Sequence, residues 1–115
     1  MTQDANESQS ALISQLKSAH GDELGAVEYD GTMFVFKKPK RQEYNRWFDK
    51  RRDAPSEAAS ELTQSCLVHP AREAFIAALD KRPALLMQEQ GFLDVCTDLA
   101  GADENAKGKP KKKIL

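Results

Sequence analysis

Two cysteines and two histidines are the residues of this sequence with the greatest chemical scope. Cys66-Leu67-Val68-His69 has the two-residue gap of a zinc ligand pair. A closed zinc site needs four donors, and the only other cysteine and histidine, Cys96 and His20, are far away in the chain. The plainer reading makes Cys66 and Cys96 small core residues on apolar helical faces, with His69 at a helix boundary. A catalytic cysteine needs an electropositive, partly open setting, and both thiols fall on stripes predicted to be buried. Glycine-rich phosphate loops, GxSxG elbows and HExxH are absent from the sequence. The carboxylates are scattered over helix surfaces instead of clustering among apolar residues that would shift their pKa values. No catalytic residue, metal or cofactor is expected.

A second constellation is physical more than chemical. Residues 37–52 hold eight cations (Lys37, Lys38, Lys40, Arg41, Arg46, Lys50, Arg51, Arg52) against Glu43 and Asp49, a local balance of +6. Tyr44, Trp47 and Phe48 are interleaved with them. Cations alternating with aromatics can bind nucleic acid by phosphate contact and base stacking. Yet Tyr44, Trp47, Phe48 and Arg51 recur at helical spacing along one stripe, a pattern that serves packing or a protein partner. The whole-chain pI of about 6.1 also lacks the usual basic footprint of a nucleic-acid binder. Residues 1–30 carry six acids against Lys17, a balance of -5, and residues 101–115 are basic again at +3. Such blocks form solvated faces or steer charged partners.

The elements that must position these residues follow from periodicity. Residues 1–7 show no apolar pattern and are expected to be disordered. From Ser8 a helix is predicted, with Ala11, Leu12, Leu16 and Ala19 on its apolar side and Gly21 as its stop. Ala26–Tyr29 and Met33–Lys37 read as strands joined by Asp30-Gly31, a hairpin signal because both central turn positions need positive φ. Phe34 and Phe36 form the face that helices must cover.

After Pro39 every segment reads as helix. These are Lys40–Arg52, Glu57–Val68 with Ala58, Leu62 and Cys66 on one face, Ala71–Lys81 around Phe75 and Ala78, and Ala84–Ala100 with Gly91 inside it. Ala54-Pro55, His69-Pro70 and Arg82-Pro83 punctuate them. The predicted fold is α+β, mostly α. An N-terminal helix and a β-hairpin precede about four short helices in one domain over residues 8–100, with a flexible basic tail over 101–115.

At 115 residues, 40% apolar and 30% charged, the chain can build one modest core. No apolar run reaches the length of about 18 residues that a membrane span needs, and the polar, acidic start lacks the layout of a signal peptide. A cytoplasmic protein with free thiols is expected.

Two stretches together resemble a known family. One is Phe34-Val35-Phe36-Lys37-Lys38-Pro39-Lys40-Arg41-Gln42-Glu43-Tyr44, a strand running through proline into a helix. The other is Leu62-Thr63-Gln64-Ser65-Cys66-Leu67-Val68-His69-Pro70, followed by Phe75, Leu79, Arg82-Pro83 and Leu85-Leu86. Over residues 26–100 this order is similar to the small tail assembly chaperones of long-tailed bacteriophages and prophages. Lys40 stands where that family often has a small hydroxyl residue suited to capping the helix.

The resemblance implies a non-enzymatic role. Such a protein binds the long helical tape measure protein, keeps it soluble and helps bring tail tube protein to it in the bacterial cytoplasm, and a homo-oligomer is compatible with that role. It also implies a longer product made by frameshifting, with which the Lys111-Lys112-Lys113 run is compatible. The partner-binding residues expected are Tyr44, Trp47, Phe48, Arg51 and Arg52, with Phe92 as a further choice. The alternative is a small nucleic-acid-binding or regulatory protein that uses the basic helix 37–52.

Overall fold

In the computed structural model of the chain, residues 2–21 and 23–101 are described, with side-chain burial from residue 11 onward. The fold is α+β and mostly α. In chain order the elements are α1 (Thr2–His20), β1 (Leu24–Tyr29), β2 (Thr32–Lys37), α2 (Arg41–Lys50), α3 (Pro55–Cys66), β3 (Leu67–His69), α4 (Arg72–Lys81), a 3₁₀ turn (Pro83–Leu86) and α5 (Phe92–Leu99).

The hairpin forms as its Asp-Gly turn dictates. Asp30 and Gly31 take φ of 53° and 78°, so both central residues are left-handed, as a type I′ turn requires. The register pairs Gly25 with Phe36 and Val27 with Phe34, which puts Gly25, Val27, Phe34 and Phe36 on one face. Helices α3, α4 and α5 cover that face. Phe34, Phe36, Phe75 and Phe92 meet there with Leu62, Cys66, Val95 and Cys96, all essentially buried.

Two glycines let the cover close. A Cβ on Gly25 would lie 2.5 Å from Val95 Cγ2, so α5 rests directly on the strand backbone. Gly91 caps the start of α5, where a Cβ would run into the carbonyl oxygens of Leu85 and Gln88.

The sheet's other face is covered too. Leu24 and Val35 are fully buried against Leu16 of α1, with Leu12, Ala26, Met33 and Val68 around them. The result is three layers, with α1 on one side of the sheet and the remaining core helices on the other. Leu16 and Leu12 carry the apolar side of α1 as expected, whereas Ala11 and Ala19 are exposed. Gly21 ends the helix at φ 98°, its N–H donating to the Lys17 carbonyl at 2.9 Å.

Four expectations need correction. Helix α1 starts at Thr2 instead of Ser8: apolar periodicity reports packing, and a polar stretch without it still has helix propensity. Helix α3 stops at Cys66, because Leu67–His69 leaves it to pair antiparallel with β2, His69 opposite Val35 and Leu67 opposite Phe36. Three residues are too few to show a period of two, so this strand is visible only through its partner. The single helix over 84–100 is instead a 3₁₀ turn, a reversal at Gln90 (φ 63°) and α5. Gly91 is the cap of that last helix, not its interior. In the basic segment the helix ends at Lys50, and Arg51–Asp53 form a turn. The basic tail beyond Gly101 and its lysine run lie outside the described residues.

Gly91→Ala is expected to lower stability by about 1–3 kcal/mol, since the colliding atoms are backbone carbonyls with no rotamer to change. Urea unfolding measures this as a lower midpoint at constant slope. A midpoint equal to that of the parent chain would refute the close approach.

Candidate functional site

The face of interest is built by α2. Its start follows from Pro39, which is buried and holds the chain extended, and from Lys40 in β geometry at the N-cap. Lysine offers no cap acceptor. Instead the Glu43 carboxylate reaches back and accepts the Lys40 backbone N–H at 2.8 Å, one half of a capping box. The missing hydroxyl residue at position 40 is thus replaced by a residue one turn further on.

Helix α2 packs on α3 through its inner side. Lys50 Nζ lies 2.6 Å from Glu61 and 3.2 Å from Glu57, both on α3. Hydrogen bonds to Glu61 and then to Glu57 raise the Lys50 pKa, and the hydrogen bond from Lys50 lowers that of Glu61. Lys50 thus forms the clamp between the two helices. Trp47 is half-buried, and its ring packs against the edge of the main core. Its indole N–H is shut away from solvent and meets no acceptor within the described residues.

No residue of α2 is fully buried, so the outer side of this helix stays open. Tyr44, Trp47 and Phe48 form an aromatic cluster there, with ring centroids 5.3–6.3 Å apart. Phe48 is 47% exposed, one of three large apolar side chains so placed among the described residues, the others being Ile76 and Met87, and it alone of the three lies in an aromatic cluster. The Arg51 guanidinium lies over it at 4.0 Å from the ring centroid and 5.6 Å from that of Trp47. This is cation–π geometry, which holds both groups in place without burying either. Arg41, Arg46 and Arg52 are exposed beside them, and among the described residues none of these arginines makes an ion pair.

Between α2 and α3 runs an open groove of about 590 Å³. Trp47, Ala58 and Leu62 line it together with Arg46 and Glu61.

The predicted partner residues thus divide. Tyr44, Phe48, Arg51 and the half-buried Trp47 come together in one cluster, and Arg52 is exposed next to it. Phe92 does not belong. It is fully buried, with its ring centroid 5.0 Å from those of Phe34 and Phe75, and it cannot touch a partner. The 3₁₀ turn and the reversal at Gln90 before it bring it into the centre of the core. Sequence reasoning missed the Lys50–Glu57–Glu61 clamp, since its partners are on different helices and no spacing rule joins them.

The ionisable groups have restricted chemistry. Cys96 is buried, and desolvation, followed by the neighbouring Cys66 thiol, pushes its pKa well above the ordinary thiol value, so it stays protonated. Glu61 is held ionised by Lys50 and is no proton donor near neutral pH. His69 lies on β3, and among the described residues no group of three or more His, Cys, Asp or Glu could hold a metal. No helix of the described residues is long and apolar enough to cross a membrane.

A small three-layer α+β domain with an aromatic and arginine-rich outer helix is the class that this geometry defines. Residues 17–108 match the family described as a domain of unknown function, DUF6848, and the chain belongs to that family. In fold it is similar to the solved structure of the uncharacterised protein rbstp2171 from Bacillus stearothermophilus. The two share 22% identity over 89% of this chain and 97% of that one, with a TM-score of 0.59. No curated protein matches the chain.

The clamp carries a pH signature. The Glu61 pKa is lowered in the fold, so its contribution to stability is present above the ordinary carboxylate value and is lost as pH falls through the lowered one. Glu61→Gln is therefore expected to flatten the acid limb of the stability–pH curve in that window and leave the neutral-to-basic shape alone. Urea midpoints across the acid range test it. An acid limb as steep as that of the parent would contradict the clamp.

Proposed function

We propose that this chain is a non-enzymatic binding protein, a tail assembly chaperone of the long-tailed bacteriophage type acting in the bacterial cytoplasm. It holds the tape measure protein soluble and helps bring tail tube protein to it. The observation that carries the reading is the outer side of α2, where Phe48 is exposed under the Arg51 guanidinium with Tyr44 and Trp47 alongside. Aromatic and arginine side chains are the residue types that dominate binding energy at protein interfaces. A helical target suits such a ridge, because amphipathic helices offer apolar anchors at i, i+3, i+4 and i+7. Repetition along a long target would add weak contacts into firm binding.

The specific family role rests on the order of strand, proline and helix over residues 26–100 described above. Co-expression with a tape measure protein from the same genome neighbourhood tests it. The chain is expected to raise the soluble fraction of that protein, and Phe48→Ser/Arg51→Ser is expected to weaken the association by at least about tenfold. A tape measure protein that stays insoluble beside the folded parent chain would contradict the chaperone role. Undiminished rescue by the double variant would remove the α2 face from it.

A second reading, nucleic-acid binding by residues 37–52, is favoured by the exposed Arg41, Arg46 and Arg52, none of which makes an ion pair among the described residues. A single-stranded DNA oligomer separates the two: tight binding of the oligomer by the folded chain, weakening steeply from low to physiological salt, would favour this reading, and no binding at low salt would favour the protein partner.

A further inference from the structure

Resting on the binding role just given, we infer that the partner segment received by α2 is an acidic amphipathic helix, its apolar row flanked by carboxylates. Three features of the face lead there. The first is its line. Arg41, Tyr44 and Phe48 follow one another at i, i+3 and i+7 on one side of α2, and Arg51, the C-cap residue still in αR geometry, extends that line at i+10 to a ridge about 15 Å long. A straight ridge of that kind packs against the groove between rows of a second helix.

The second is charge. Eight cations face two acids over residues 37–52. Among the described residues, ion pairs to acids of neighbouring elements engage two of the eight, Lys38 with Glu23 and Lys50 with Glu57 and Glu61, and Glu61 also feels the charge of Arg46. Glu43, the acid within α2 nearest its start, is occupied by the Lys40 N–H. Arg41, Arg51 and Arg52 therefore present guanidinium groups along or beside the ridge, and among the described residues no carboxylate forms an ion pair with them. Guanidinium forks match carboxylates in a bidentate fashion.

The third is the state of the rings, which argues against nucleic acid. Base stacking needs open ring faces. The exposed ring, Phe48, already has Arg51 over it at 4.0 Å and lies 6.2 Å from Tyr44 in stacked orientation, and Trp47 is half-buried. What remains open is the guanidinium edge and the flank of the ring, a surface for carboxylates beside methyl and methylene groups.

Two fluorescein-labelled synthetic helical peptides of about six turns test this against the full chain. They share one leucine row and differ only in its flanks, glutamate in one and lysine in the other. Fluorescence anisotropy is expected to show the glutamate peptide binding at least about tenfold more tightly than the lysine peptide. Arg51→Glu/Arg52→Glu is expected to reverse the preference, Arg51→Gln/Arg52→Gln to erase it, and Phe48→Ala to weaken both peptides alike. Circular dichroism establishes that each variant is folded.

Equal binding of the two peptides by the parent chain overturns the inference. So does displacement of the glutamate peptide by a single-stranded DNA oligomer at lower concentration than the peptide itself needs. A dimer of the chain in sedimentation that Arg51→Glu/Arg52→Glu dissolves would assign the face to a second copy, and overturns it too. Selective binding of the glutamate peptide with no rescue of a tape measure protein would sink the chaperone role alone. Rescue without peptide selectivity would sink the acidic-helix inference alone.

Discussion

Phe92 is the contact on which the rest of this structure depends. Its ring lies 5.0 Å from Phe34, 5.4 Å from Phe36 and 5.0 Å from Phe75, joining both core phenylalanines of β2 to α4 through α5. All four rings are essentially excluded from water, and each contributes about 1.5–3 kcal/mol of burial, with ring-on-ring contact in addition. The cluster requires α5 to approach the sheet more closely than side chains on both surfaces would allow. Gly25 removes the obstacle on the strand, and Gly91 lets the backbone before α5 fold tightly back on the 3₁₀ turn. A sheet of three strands becomes stable because both of its faces are covered, one by this cluster and the other by Leu16 of α1.

With that core complete, α2 is free to be something other than a structural helix. It is attached at three points: the buried Pro39 before it, the half-buried Trp47, and Lys50 between two glutamates of α3. These hold the helix from one side only. The opposite side keeps an exposed phenylalanine, which monomeric packing does not need, and holds it in one place with an arginine laid over the ring. The arrangement lowers the entropy lost on binding, since Phe48 and Arg51 already restrain each other before a partner arrives.

How much of this was legible in the sequence depends on the range of the interaction concerned. The Asp30-Gly31 turn and the Gly21 stop act within a few residues and stand where the sequence pattern put them, and the break at Ala54-Pro55 is where α3 begins, two residues before the expected Glu57. The stripe Tyr44–Trp47–Phe48–Arg51 was visible at helical spacing, although spacing could not tell whether it faced the core. The structure divides it, turning Trp47 partly inward and Phe48 outward. The elements that were missed depend on distant partners. Leu67–His69 is a strand only because Val35 and Phe36 lie beside it, and Phe92 is central only because a reversal at Gln90 breaks the helix expected through Gly91. The Lys50 clamp likewise joins residues seven and eleven apart on separate helices.

The central claim is a division of labour between a four-ring core that makes the fold and an outer α2 stripe that does not. Equilibrium urea unfolding of Tyr44→Ser/Phe48→Ser beside Phe75→Ala, followed by far-ultraviolet circular dichroism, tests it most directly. The outer double variant is expected to unfold within about 1 kcal/mol of the parent, as surface substitutions do, and Phe75→Ala to lose about 3–5 kcal/mol or fail to fold. A loss in the outer variant as large as that of Phe75→Ala would make the stripe part of the core and contradict the account.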